Sequence, residues 1–135
     1  MEQVQDIYFA SSFFMTGLIW IVQLVHYPSF KYVDPKEYTS FQLFHMKAIT
    51  VVVMPVMLIE LFTILILSYS HLNLFNLINL GLLALIWLNT FFWNVPLHQK
   101  LIQKKDQFLI KKLVISNWPR TFIWSVKSLY LLFFA

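Results

Sequence analysis

The 24 residues IYFASSFFMTGLIWIVQLVHYPSF, Ile7–Phe30, decide how this chain is read, because they hold no Asp, Glu, Lys or Arg. A bilayer hydrocarbon core of ~30 Å is crossed by about 20 apolar residues in a helix, and this run is long enough. Its closing stretch, QLVHYPSF (residues 23–30), is out of character for lipid. Gln23 and His26 are costly in hydrocarbon, and Pro28 interrupts helical hydrogen bonding. The stretch predicts a membrane span that Pro28 ends just past His26, with the imidazole turned into a protein interior.

The rest of the 135-residue chain is of the same kind: 59% of it is hydrophobic and only 12% charged, with mean hydropathy +0.69. A water-soluble domain of this size exposes a large share of its residues and has nowhere to put so much apolar surface. Fourteen Phe and five Trp against two Gly suit helices better than a turn-rich β protein. The fold class expected is all-α integral membrane. With no cysteine, disulfides, thiolate metal sites and thiol catalysis are excluded. The N-terminal MEQVQDIY has no positive region and no small-residue cleavage site follows the apolar run, so the first span is expected to be retained. The net charge of +4 comes from lysines beside apolar segments. Topology and anionic lipid explain it, and nucleic acid is not an expected partner.

Four spans are expected, at Ile7–Phe30, Lys47–Ser68, Leu74–Val95 and Asn117–Phe134, forming one domain over residues 1–135. The second helix should begin before the membrane: in VDPKEY, Asp34 suits an N-cap, Pro35 the first helical position and Glu37 a capping box. It should run towards Tyr69, bent at Pro55. LHQKLIQKKDQFLIKKLVIS (residues 97–116) is amphipathic and lysine-rich, and suits a surface helix between spans three and four. Lys31, Lys36 and Lys47 flank the first loop, while Lys100, Lys104, Lys105, Lys111, Lys112 and Arg120 flank the third. The N-terminus and second loop have none, so the positive-inside rule puts loops one and three in the cytoplasm and both termini outside. A bacterial inner membrane is the expected location, and an oligomer is left open. No inverted repeat or pair of broken helices marks a transporter.

This topology gathers the polar residues. His26 ends span one, His45 opens span two, His98 follows span three, and Asn117, Trp118 and Arg120 open span four, all at the cytoplasmic end. His71 lies alone on the other side. Helical spacing gives each span one polar stripe: Thr16, Gln23 and His26; Gln42, His45 and Glu60; Thr90, Asn94 and His98; Asn117, Arg120, Trp124 and Lys127. Polar groups in hydrocarbon face protein or water, so four stripes predict a bundle with a polar interior. Glu60 lies ~22 Å along its helix from His45, and Lys127 ~15 Å from Asn117. The two are the natural partners, either as a structural pair fixing register or as a proton relay. A histidine at an interface is often only an amphipathic residue reaching for water. Three from separate helices, beside Arg120 and Asn117, point instead to a site. Arg120 at a helix start opposes the dipole and needs a partner, whether lipid phosphate, a substrate oxygen or Glu37.

GLIWIVQLVHYPSF (residues 17–30), NTFFWNVPLHQKL (residues 89–101) and NWPRTFIW (residues 117–124) resemble a family of small four-span membrane proteins that includes the fungal anthrone oxygenases. The likeness covers most of the chain in layout and about thirty residues in motif. His98 in VPLH departs from the family's more usual Pro-x-Asn. The resemblance implies an oxidoreductase or oxygenase acting on a hydrophobic, aromatic substrate.

The residues supply the expected site, with His26, His98, Arg120 and Asn117 as catalytic groups and Gln23, Asn94 and Trp118 around a cofactor. Three chemistries stay open. His26, His45 and His98 suit copper or iron; two imidazoles suit a b-type haem; or His26 or His98 acts as a general base with Arg120 on a developing anion. No H-x-x-x-H or H-x-x-E-H spacing selects a metal. The alternative is a non-catalytic lipid- or quinone-binding protein, or an accessory subunit of a membrane complex.

Overall fold

The computed structural model describes the whole chain, Met1–Ala135, as helices joined by short turns. Four long helical segments account for almost all of it: α1, Glu2–Tyr32, α2, Tyr38–Ser70, and α3, Leu74–Gln103, then α4, Gln107–Phe134. The first three are long and apolar enough to cross a membrane. The 28-residue α4 is of similar length but carries Lys111, Lys112, Arg120 and Lys127 along its run. Neighbours in sequence pack side by side, and α4 closes back on α1, so α1 faces α3, and α2 faces α4, across the diagonals. Tyr8, Met15, Ile64, Leu83, Ile86 and Trp124 fill the centre. The outside is just as apolar: Phe14, Leu24, Phe62, Phe92, Phe122 and Phe133 are all exposed. Backbone groups satisfied within helices, under a coat of exposed apolar side chains, are what hydrocarbon requires. The chain has the makeup of a membrane protein.

Several local features differ from the sequence expectation, each for a physical reason. Pro28 does not end α1. A wide π turn over Val22–His26 precedes it, and the helix runs on through Tyr27–Ser29 and a tighter turn at Phe30–Tyr32. Pro96 repeats the arrangement, with a π turn over Thr90–Asn94 and helix continuing over Val95–Gln103. In each case the wide turn lies where the proline withholds its N–H and crowds the preceding turn. Helix α2 begins at Tyr38 rather than at Pro35. Asp34 instead closes a turn, its Oδ1 accepting from the Lys36 N–H at 2.8 Å. Pro55 sits inside α2, which runs through it to Ser70 as the sequence leads one to expect.

Residues 97–116 do not form one surface helix. The segment breaks after Gln103, and Asp106 caps α4 by accepting from the Phe108 and Leu109 N–H groups at 2.9 and 3.1 Å. Leu97, Leu101, Ile110 and Leu113, the apolar face of the expected amphipathic helix, are buried against the other helices. Lys105 reaches across to the carbonyls of Lys31 and Val33, at 2.6 and 2.5 Å, and ties the two lysine-rich turns together.

Candidate functional site

Two polar clusters lie inside the helices. The deeper one holds the one ion pair of the structure, Lys127 with Glu60, both fully buried. Ser12 of α1 donates to Glu60 Oε1 at 2.8 Å and accepts from Lys127 Nζ at 2.8 Å. Trp124 Nε1 donates to the other carboxylate oxygen at 3.2 Å. Lys127 Nζ also lies 4.5 Å from the centre of the Tyr8 ring. The pair therefore spans the α2–α4 diagonal with its hydrogen-bonding capacity largely used. Tyr8 spans the other diagonal, donating to Asn79 Oδ1 at 3.2 Å. The side chains of this cluster thus link α1, α2 and α4.

The second cluster sits at the lysine-rich end, where the three expected histidines do come together. His26 Nε2 and His45 Nδ1 are 2.8 Å apart, and the His45 and His98 rings are 5.2 Å apart between centres. His71 is exposed and remote from them. Tyr38 donates to Gln42 Oε1 at 3.3 Å, which turns Gln42 Nε2 to His98 Nδ1 at 2.8 Å. An amide NH₂ only donates, so Nδ1 accepts and the proton of a neutral His98 ring sits on Nε2. Nε2 lies 3.0 Å from the Tyr27 hydroxyl oxygen. That oxygen accepts from His98, and Tyr27 keeps its own O–H to donate elsewhere. The Arg120 guanidinium stands beside the same hydroxyl.

Arg120 is 5% exposed and its Nη1 donates to Asn117 Oδ1 at 3.2 Å, but its Nε has no partner. It lies over the Trp124 face, 5.2 Å from the ring centre. Together with Tyr27, His98, Asn94 and Thr90, Arg120 forms the polar wall of a cavity of about 110 Å³. The rest of the lining is mostly apolar and methionine-rich: Met15, Met46, Met54 and Met57, with Ile19, Ile49 and Val53, and Thr50 beside them.

Other expected site residues lie elsewhere. Gln23 turns to α4, donating to the Val114 carbonyl and accepting from Asn117 and Thr121, each at 3.0 Å. Asn94, although it reaches the cavity wall, bonds to Ser116 Oγ at 2.9 Å and accepts from Asn89 at 2.7 Å. Neither orients a histidine; Gln42 does that. Trp118 is largely exposed and packs edge-on to Trp20 at 5.9 Å, away from the cavity. Tyr27 and the methionines were not singled out by sequence reasoning. Tyr27 stands inside QLVHYPSF, and Met46, Met54 and Met57 share one face of α2 at helical spacing, a face that reads as ordinary core.

The donor set does not suit a metal. Both His98 nitrogens are engaged, by Gln42 and Tyr27, and His26 and His45 bond to each other, which leaves His45 Nε2 as the one buried imidazole nitrogen without a partner. No group of three His, Asp or Glu side chains is placed to hold an ion. The arrangement can instead grip a ligand oxygen, with Tyr27 O–H and the free Arg120 N–H as donors, while the methionines take an apolar body. Compared with known proteins, the chain matches no family model, no curated protein and no solved structure.

Proposed function

We propose that this chain is a membrane-embedded oxidoreductase of the oxygenase type that acts, without a metal, on a hydrophobic molecule bearing an ionisable oxygen on or beside an aromatic ring. One observation carries the reading: Tyr27 and Arg120 offer spare donors on the polar wall of an otherwise apolar cavity. Preorganised donors in a water-poor site stabilise charge developing on an oxygen far better than water does. A phenol or enolisable aromatic ketone becomes more acidic when its oxygen is bound there. The electron-rich anion, its proton given up to solvent, reacts with dioxygen: the activated carbon becomes a carbonyl, and the second oxygen atom leaves as water with the two hydrogens the substrate has lost overall. His98, with Nδ1 occupied by Gln42, orients Tyr27 rather than acting as the base. The motifs resembling the anthrone oxygenase family support the same reaction class.

Oxygen uptake by purified protein in detergent, supplied with a single-ring enolisable aryl ketone, tests this. Removal of one such donor costs roughly 10²–10³ in rate. Tyr27→Phe and Arg120→Gln should fall by that order while His71→Ala keeps full rate. Uptake that survives both changes would refute the proposal. The second reading, a non-catalytic binder of a quinone or lipid, is favoured by the occupied lone pair of His98. It predicts ligand binding that depends on Arg120 with no oxygen uptake at all.

A further inference from the structure

Arg120 has no counter-ion. Its guanidinium is charged whatever its surroundings, it is 5% exposed, and the only ion pair in the structure joins Lys127 to Glu60. The groups around Arg120 are the neutral Asn117, Tyr27 and Trp124. A buried charge without a partner is among the costliest arrangements a protein can hold. Arg120 Nε, buried and unpartnered, belongs to a side chain in the cavity wall. The missing negative charge is therefore expected in the cavity itself.

The cavity also limits the size of what carries that charge. Its volume is about 110 Å³, whereas an apolar cavity of ~150 Å³ takes one benzene ring. A single ring or a narrow chain is the most it encloses. The lining residues with partial or full exposure are Met46, Ile49, Thr50, Val53 and Met54 along α2, with Leu18 of α1 and Thr90 and Val95 of α3. The mouth thus opens on the flank of the helices, at exposed Thr50 of α2. In a bilayer that flank faces acyl chains.

From these three features we infer that the cavity admits, sideways from the lipid, a lipophilic acid bound as its anion, with the carboxylate or phenolate oxygen serving as the counter-ion of Arg120. One ring or chain segment fills the methionine-lined space and the rest of the molecule stays in the bilayer. This rests on the placement of a ligand oxygen at Arg120 in the function proposed above. It adds that the oxygen is already charged in the resting complex and that multi-ring bodies are excluded from the enclosed part.

Binding to the full chain in lipid nanodiscs tests it, with 4-octylbenzoate, its neutral amide, 4-octylphenol and anthracene-9-carboxylate as probes. The benzoate should bind at least about tenfold more tightly than the amide, a margin that one charge pair out of water readily supplies. Anthracene-9-carboxylate should bind at least about tenfold more weakly than the benzoate, for want of room. Arg120→Gln should erase the preference for the anion, and Arg120→Lys should keep part of it. Met54→Trp, at the mouth, should weaken benzoate and amide alike. Octylphenol that shows phenolate absorption when bound, at a pH where the free phenol is neutral, would extend the ligand class to phenols; benzoate binding alone would confine it to carboxylates. Equal binding of benzoate and amide to the unaltered chain overturns this inference but leaves the proposed function standing. Binding of no probe overturns both. The comparison on the unaltered chain decides the matter even where Arg120→Gln does not fold.

Discussion

At the scale of single residues, two buried cations meet opposite circumstances. Lys127 has Glu60, Ser12 and the Tyr8 ring around it, whereas Arg120 has only neutral neighbours. Breaking a buried pair by removing one member leaves the other charge stranded, at a cost of roughly 3–5 kcal/mol. Glu60→Gln and Lys127→Met should each lower stability by that order in denaturant titrations of the detergent-solubilised protein. The double change should recover about 1–3 kcal/mol of the sum, since the two residues touch. Additive losses would mean that the pair does not couple. At Arg120 the opposite holds: replacement by Met, of similar length and no charge, should raise the stability of the ligand-free protein or leave it unchanged. The cost of an isolated charge within a membrane span is enough to predict that Glu60 and Lys127 meet. That Arg120 would lack a carboxylate was not readable, because Glu37, a candidate partner in sequence, lies exposed before the first turn of α2.

At the scale of elements, the two π turns decide which polar residues meet. Gln23 and His26 are three apart, and on a regular helix they share a face. The wide turn over Val22–His26 separates them, sending Gln23 to α4 and His26 to His45 on α2. Thr90–Asn94 does the same on α3, so that Asn94 bonds to Ser116 of α4 while His98 meets Gln42 of α2. A reading based on a constant helical period finds the right residues but assigns wrong partners to Gln23 and Asn94. Both π turns precede a proline, which is the local signal that was available; its reading as a helix end overlooked that a wide turn accommodates the ring. Pro96→Ala restores an N–H at that position, and the regular helix then becomes competitive. The expected outcome is unchanged helix content by circular dichroism, at least about tenfold weaker binding of 4-octylbenzoate, and lost contact between Asn94 and Ser116. Stability should drop on the order of 1 kcal/mol for that hydrogen bond. Binding unaffected by Pro96→Ala would show that the π turn does not set the geometry of His98.

At the scale of the whole molecule, the question is how the four helices stand in a membrane. The turn between α1 and α2 and the turn between α3 and α4 lie at one end, joined by Lys105 to the carbonyls of Lys31 and Val33. Helices α1 to α3 are apolar along their exposed sides and long enough to span. Helix α4 is not apolar throughout, yet Arg120 and Lys127 are buried among its neighbours rather than exposed on its outer face. The hydrocarbon would meet Phe122, Leu129 and Phe133 instead, all exposed. Long runs of exposed apolar side chains on every helix made the class legible from composition alone. The extent of α4 was harder to see, because lysines at its start look like a surface segment until Ile110, Leu113 and Ser116 are found buried. Two ends of unequal charge predict an orientation. Eight of the ten Lys and Arg residues lie at or near the first and third turns, the other two, Arg120 and Lys127, being buried within α4. The positive-inside rule then predicts both turns in the cytoplasm and Met1 and Ala135 outside. The chain has no cysteine, so single replacements give an unambiguous readout. Gln3→Cys and Lys104→Cys both sit at exposed positions, and a membrane-impermeant maleimide applied to intact cells should label the first and spare the second. After permeabilisation both should react. Labelling of both from outside would mean that one of α1 to α3 does not cross. Labelling of Lys104→Cys alone would invert the molecule, and put the Arg120 end of the cavity on the outer face.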